Sequence, residues 1–249
     1  MNNTIEQLLT RTSVRTFTGE GVKDEDLELI FKAAQQAPTS IGAQQISLVY
    51  TKDKEKIKQI AQIAGGQPQV ATADVFITIV IDFNRTAIAC EMAGKEQVIH
   101  ASAEGLLVGA GDAGIMLNAP QTAANALGYG STAIGGIRND PEAMIKLLDL
   151  PKKTYPIFGI TLGVADTSKG VNIKPRVPLH SFVMKETYNQ AMVKQGVESY
   201  EETLRVWRDA KGLKDFPGYT QMTSQYYQNI YFPKVAKTLL NQGFDFKDN

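Results

Sequence analysis

The sequence contains few of the residues on which several classes of protein depend. Its 249 residues include one cysteine, Cys90, so no disulfide can form within the chain. The two histidines, His100 and His180, lie far apart and show no metal-ligand spacing, which argues against a metal enzyme. There is no basic start followed by an apolar run, and no stretch approaches the roughly 18 apolar residues of a membrane span. We therefore expect a protein of the reducing cytoplasm, with no metal and no membrane partner.

An excess of charge of either sign is also absent. The chain has 26 Lys and Arg residues against 26 Asp and Glu residues, a formal net charge of zero. Nucleic acid and anionic lipid are bound through a broad positive field, so neither is an expected partner, and any recognition of anions must be local. With 43% hydrophobic residues, the composition is that of an ordinary globular protein.

Hydrophobic periodicity predicts both helices and strands. Thr4 to Gln7 fits a capping box before a first helix that ends near Arg11, and a second helix is expected over 24–37. Short β-rich runs cover 46–51, 75–81 and 155–163, and a further short strand is expected near Ser131. The Ala- and Gly-rich stretch from Val98 to Leu127 predicts a buried core helix, broken or closely approached at its glycines.

The last quarter of the chain has a different character. Residues 185–215 are polar and charged, and several aromatic residues follow before a final helix-like stretch over 233–241. Aromatic residues outside a protein's own core are typical of interfaces. We expect residues 1–249 to form a single domain in which 185–249 is a C-terminal excursion that packs on a partner.

Two basic stretches are candidates for an anion site. Arg11 and Arg15 flank Ser13, and Lys174 and Arg176 flank a proline. Guanidinium groups make bidentate contacts with phosphate oxygens, and a serine hydroxyl can add a further hydrogen bond. If the fold brings both stretches together, they form a phosphate-sized pocket. The alternative is that each is a solvated surface charge.

Polar loops and one glycine pair provide further candidates. Thr39, Ser40 and Gln44, together with Gln67, offer hydroxyl and amide groups for the edge of a heterocycle, although an ordinary solvated loop explains them equally well. The backbone of Gly135 and Gly136 could approach a ring or a phosphate, but a plain tight turn accounts for the pair as well. The glycine spacing does not match the dinucleotide fingerprint, so a conventional Rossmann site is not indicated.

Six ordered motifs together resemble the nitroreductase superfamily. Among its members the chain looks most like the NADPH-dependent flavin reductases and the oxygen-insensitive nitroreductases. The resemblance covers about Thr4 to Pro178 and is weaker afterwards. The motifs are Arg11 to Phe17, Thr39-Ser40 with Gln44, Gly65 to Gln67, Asp82 to Arg85, Ile134 to Asn139, and Lys174 to Arg176.

The resemblance implies an α+β fold with a mixed central sheet surrounded by helices, and an intertwined homodimer with FMN in each of two interface sites. It places the FMN phosphate and ribityl chain among Arg11, Ser13, Arg15, Lys174 and Arg176. It implies that the ribityl chain and the isoalloxazine are lined by Thr39, Ser40, Gln44 and Gln67, and that the Gly135-Gly136 backbone approaches the ring. Close relatives usually begin the first motif with His-Arg-Ser, where this chain has Arg11, Thr12 and Ser13.

The implied function is an FMN-dependent oxidoreductase. It would take hydride from NADPH and pass electrons to a small-molecule acceptor, a nitroaromatic, a quinone or free flavin, by a ping-pong mechanism. No catalytic side chain is required, because the flavin does the redox chemistry. Candidates for contact with the NADPH 2′-phosphate are Arg205, Arg208, Lys211 and Lys214. The alternative is a non-catalytic module that binds flavin or a nucleotide.

Overall fold

The computed structural model describes residues 2–170 and 172–248. The chain divides into two compact units. The first runs to Lys169 and resumes at Phe232, and the second extends from Gly170 to Tyr231. No helix in the described ranges is long and apolar enough to cross a bilayer.

A four-stranded sheet forms the centre of the first unit. Its strands are β1 (Ile46–Thr51), β2 (Val75–Asp82), β3 (Tyr129–Ile134) and β4 (Thr154–Val164), in the spatial order β1-β2-β4-β3. Nearly every residue of β2 is buried, as expected for an inner strand covered on both faces. These strands coincide closely with the β-rich runs expected from the sequence.

Eight helices of the first unit surround this sheet in the described ranges. They are α1 (Asn3–Thr10), α2 (Asp24–Gln35), α3 (Lys54–Ile63), α4 (Pro68–Ala71), α5 (Phe83–Met92), α6 (Ala103–Ala126), α7 (Pro141–Leu147) and, after the second unit, α11 (Val235–Gln242). Short 3₁₀ turns occupy Ser40–Gly42, Ile99–Ala101, Gly136–Asn139 and Thr167–Lys169. The α+β class is confirmed.

Three expectations about these elements are corrected. All described strand pairs are antiparallel, so the sheet is not mixed. The mixed sheet was implied by the family resemblance; β2 and β3 do run in the same direction, but β4 lies between them and pairs with both in the antiparallel sense. The first helix is capped by Asn2, whose side chain accepts the Ile5 N–H, rather than by a capping box at Thr4. Helix α6 is not buried all round as expected, because one face is exposed; of the two alternatives for its glycines, close approach is confirmed at Gly109 and no break occurs.

Helix α6 combines a buried face with an exposed one. Ser102 caps its first turn, and Gly109 lies so close to β2 that a Cβ there would stand 2.7 Å from an Ile81 methyl carbon. On the other side an exposed stripe follows helical spacing, and a Cβ added at either of its two glycines would have no described atom within 4 Å. This α6 stripe comprises Leu107, Gly111, Gly114, Ile115 and Asn118.

The second unit contains α8 (Leu179–Phe182), α9 (Gln190–Ala210) and α10 (Tyr219–Tyr227). Buried Tyr200 on α9 packs edge-on against Tyr219 at 5.0 Å between ring centroids, and its hydroxyl donates to the Pro175 carbonyl at 3.1 Å. Glu201 accepts the Thr220 N–H at 2.7 Å. The excursion expected over 185–249 therefore differs in extent, because residues from Phe232 onward belong to the first unit and bury Phe244 there.

Candidate functional site

The basic segment after α1 is fixed to the sheet through its backbone. The Val14 N–H donates to the Ser131 carbonyl at 3.0 Å, and the Thr132 hydroxyl donates to the Val14 carbonyl at 2.5 Å. The Val14 side chain fills the space over Gly130, where a Cβ would come within 2.6 Å of it. The neighbours of Val14 are thus held beside β3, although no helix or strand includes them.

Arg11, Ser13 and Arg15 have no side-chain partner within the described ranges. Arg11 and Ser13 are half-buried, Arg15 is exposed, and neither arginine forms an ion pair with a described carboxylate. The donor set suits a phosphate group, because it offers guanidinium and hydroxyl donors that no described carboxylate pairs with.

The loop over 39–45 is anchored to α6 by a buried carboxylate. Oδ2 of Asp112 accepts the Ser40 N–H at 3.0 Å and the Gln45 side-chain amide at 2.5 Å. The Thr39 hydroxyl accepts the Gln44 N–H at 3.0 Å. Gln44 adopts a φ of 55°, in the left-handed region that non-glycine residues seldom occupy. The structure therefore brings together the three predicted loop residues Thr39, Ser40 and Gln44.

A cavity of about 430 Å³ opens beside this loop. Thr39 and Gln44 line it, together with the ring pair Phe31 and Tyr50, whose centroids are 4.9 Å apart. Arg85 also lines the cavity and donates to the Ser47 hydroxyl at 2.9 Å. The loop thus has a recess with aromatic, hydroxyl and cationic groups beside it.

The glycine pair after β3 lies against Gln67. The Gln67 amide nitrogen donates to the Ala64 carbonyl at 3.0 Å. A Cβ on Gly136 would clash with this nitrogen and would stand only 2.7 Å from the Ala64 carbonyl oxygen, so a side chain has no space there. The backbone N–H groups of Gly135 and Gly136 donate to no group in the described ranges. Free amide donors at a buried turn fit the edge of a bound heterocycle.

Lys174 and Arg176 lie in the second unit. Arg176 donates to the carbonyl of Lys174 at 2.9 Å and to that of Pro175 at 3.2 Å, and its side chain is exposed. Both residues are therefore on a stretch whose backbone is held by Tyr200. The convergence of this stretch with Arg11 and Arg15 stays a prediction.

The four candidates for a nucleotide phosphate differ in their surroundings. Arg205 is paired with Glu202 and Asp209 on α9, and buried Arg208 donates to the Pro217 carbonyl. Lys211 and Lys214 are exposed and form no ion pair with a described residue. Among the four candidates, only these two lysines have no charged or carbonyl partner for their side chain within the described ranges.

Asp112 and Arg85 were not predicted as site residues. Asp112 stands in the middle of an apolar, glycine-rich helix, and a lone carboxylate among small residues was the available signal. Arg85 belongs to a motif noted from the sequence, but its neighbour Ser47 is 38 positions away and could not be inferred.

Comparison with known proteins identifies the family of the chain. The Nitroreductase family model matches residues 8–164, and the model of the nitroreductase family C-terminal domain matches residues 174–247. FMN reductase [NAD(P)H] of Bacillus subtilis is 38% identical over 248 residues, which cover 98% of each chain. The oxygen-insensitive NADPH nitroreductase of Salmonella typhimurium is 36% identical over 213 residues and 85% of each chain. The solved structure of B. megaterium NfrA2 has a TM-score of 0.95 at 36% identity, covering 99% of this chain and 100% of that one.

The chain belongs to the nitroreductase family. The resemblance noted in its ordered motifs is confirmed, and the match now extends through the second unit, where the motifs were weakest.

Proposed function

We propose that this chain is an FMN-dependent oxidoreductase that takes hydride from NADPH and passes electrons to nitroaromatics, quinones or free flavin. The observation that carries the proposal is the pair Arg11 and Arg15, held beside β3 with no described acid to neutralise it. Relatives named for FMN reduction and for NADPH-dependent nitroreduction support the cofactor and the reductant.

Each part of the site has a stated role toward FMN. Phosphate and ribityl oxygens are held by guanidinium, ammonium and hydroxyl donors from Arg11, Ser13, Arg15, Lys174 and Arg176. The ribityl chain and ring edge are held by Thr39, Ser40, Gln44 and Gln67, and the Gly135-Gly136 backbone approaches the ring. Their convergence is proposed from the family pattern and from the donors at the first segment and at the glycine turn, which have no acceptor among the described residues.

FMN, when bound, supplies the hydride chemistry, so the protein needs no nucleophile or general acid of its own. The side chains bind and orient. The Gly135 and Gly136 N–H groups point preorganised dipoles at a ring that becomes negative on reduction, and such dipoles stabilise developing charge. Asp112 holds the 39–45 loop in place, so that Thr39 and Gln44 need not be ordered when the ligand arrives.

NADPH recognition falls to Lys211 or Lys214 in this proposal. Arg205 and Arg208 have protein partners that a 2′-phosphate would have to displace, whereas both lysines are free to pair with it. A charge-assisted contact of this kind distinguishes NADPH from NADH.

The active form proposed is a homodimer. The α6 stripe exposes Leu107 and Ile115 on either side of small residues, which lets two helices approach closely. Exposed aromatic residues of the second unit, among them Tyr227 at 76% exposure, supply a second apolar surface for a partner protomer. A reducing cytoplasm is the expected location.

An anaerobic titration tests the function. The purified, yellow protein is mixed with stoichiometric NADPH under nitrogen, and the flavin absorbance is followed before and after a quinone is added. We expect bleaching by NADPH and return of the colour with the quinone. Bound FMN that neither NADPH nor NADH reduces would instead favour a flavin-binding module, and a protein that takes up no FMN would refute both.

A further inference from the structure

Arg138 lies in the 3₁₀ turn after β3 and is held between two aromatic rings. Its guanidinium carbon is 5.3 Å from the ring centroid of Phe158 on β4 and 5.2 Å from that of Phe232. Nη1 donates to the Ile157 carbonyl at 2.5 Å. Cation–π contacts and a hydrogen bond to a strand together fix this side chain in one place.

The guanidinium lies beside the glycine turn. A Cβ on Gly135 would stand 3.2 Å from Nη2 of Arg138, and the Arg138 N–H donates to the Gly135 carbonyl at 3.1 Å. The backbone of Arg138 is therefore bonded to this turn and its side chain lies beside it, and within the described ranges the N–H groups of Gly135 and Gly136 have no acceptor. A shift of Arg138 would move those N–H groups.

The positive charge of Arg138 also reaches the interior of the sheet. Burial raises the pKa of Tyr155 on β4 to about 12, and the charge of Arg138 acts in the opposite direction. Tyr155 is buried and its hydroxyl has no hydrogen-bond partner in the described ranges. A charge in this low-dielectric setting acts over longer distances than one in water.

We propose that Arg138 is a positioning residue that holds the Gly135-Gly136 backbone toward the flavin ring and places a positive charge behind it. Reduced flavin carries negative charge, so the positive charge of Arg138 raises the ratio of the affinity for reduced flavin to the affinity for oxidised flavin. This inference rests on the proposed function, because it assumes that the glycine turn faces the ring.

The test compares the affinities for reduced and oxidised FMN through the midpoint potential of the bound flavin. Each loaded variant is reduced anaerobically against a reference dye. We expect Arg138→Met to lower the preference for reduced FMN about tenfold, which is about 30 mV for a two-electron couple. Arg138→Lys keeps the charge and should restore most of that preference. Lys146→Met removes an exposed positive charge from α7 and should leave the potential unchanged.

Phe232→Leu provides a second measurement that keeps Arg138 itself. It removes one of the two rings that hold the guanidinium, so a smaller fall in the same preference is expected. If FMN-loaded Arg138→Met and Phe232→Leu both have the midpoint potential of the unaltered protein, this inference is overturned and the proposed function stands. If Arg138→Met does not fold, the midpoint potential of FMN bound to Phe232→Leu tests the inference: a fall supports it and an unchanged value overturns it. Failure of the unaltered chain to take up FMN would overturn the proposed function and this inference with it.

Discussion

Ser40 donates its backbone N–H to the buried carboxylate of Asp112, 72 positions further along the chain and 3.0 Å away. The same carboxylate oxygen accepts the side chain of buried Gln45. One residue of α6 therefore fixes both ends of the loop that is proposed to line the ribityl chain. The loop's position depends on α6 rather than on its own turn residues.

Replacement of Asp112 should loosen this loop. Asp112→Ala leaves two donors without an acceptor, and we expect a loss of about 3 kcal/mol in the free energy of unfolding, together with weaker FMN binding. Asp112→Asn keeps one acceptor oxygen and should lose less on both counts. Urea unfolding and fluorescence titration with FMN measure the two effects. Equal stability of the alanine variant and the unaltered protein would refute the anchoring role.

The local elements of this fold were predictable because they depend on neighbouring residues. The apolar patterns over 46–51 and 75–81 predict β1 and β2 nearly residue for residue. The burial of a strand is determined by the polarity of a few consecutive side chains, which can be seen directly in the sequence. Pro38 after α2 and Gly128 before β3 mark the ends of helices for the same reason. Ordered motifs then suggested the family, although no single one would have.

Relationships between distant parts of the chain were not predictable. The pairing of the strands depends on contacts between distant segments, and the mixed sheet implied by the family resemblance was wrong for the described strands. Asp112 with Ser40 and Arg138 with Phe232 are separated by most of a domain in sequence, and no local pattern relates them. The return of the chain at Phe232 was missed because the last helix of the sequence resembles a continuation of the excursion.

Gly136 should not tolerate a side chain. In Gly136→Ala, the new Cβ would stand 2.7 Å from the Ala64 carbonyl oxygen, so the turn must move. We expect at least about a tenfold loss of FMN affinity and roughly 2 kcal/mol of stability. Gly21→Ala is the matched control, because its Cβ would meet Asp74 at an ordinary 3.8 Å. Unchanged FMN affinity in Gly136→Ala would show that the glycine turn does not contact the flavin.

Asp74 should make stability depend on pH at the acidic end. Burial alone would raise the pKa of Asp74, but hydrogen bonds from Lys54 and from the Val22 N–H outweigh it and hold the pKa below its ordinary value of 3.8. A carboxylate with a lowered pKa stabilises the fold above its unfolded pKa, and this contribution disappears as the pH falls through the native pKa.

Asp74→Asn should therefore lose about 1 kcal/mol of stability at pH 7 and distinctly less at pH 3. Urea unfolding at the two values measures the difference. Glu55→Gln, which breaks the exposed pair with Lys58, is expected to change stability little at either pH. A loss in Asp74→Asn that is the same at pH 3 and pH 7 would contradict the ionic origin.

The α6 stripe should be a subunit interface. Ile115 is 46% exposed, so Ile115→Glu leaves the protomer's own packing intact while it places a charge in the proposed contact. Sedimentation velocity is expected to show a dimer for the unaltered protein and a monomer with weakened FMN binding for the variant. Leu240→Glu on α11, at 53% exposure, is the control and should stay dimeric. A dimeric Ile115→Glu protein would place the interface elsewhere.

The central claim is that cationic side chains gather around the phosphate of FMN. Riboflavin has the same ring and ribityl chain without the phosphate, so the ratio of its dissociation constant to that of FMN measures this contact alone. We predict that the apoprotein binds FMN at least about a hundredfold more tightly than riboflavin, and that Arg15→Ala or Arg176→Ala lowers the ratio by about tenfold or more, as expected for one lost charge-assisted contact. Equal affinities for FMN and riboflavin in the unaltered apoprotein would contradict the claim.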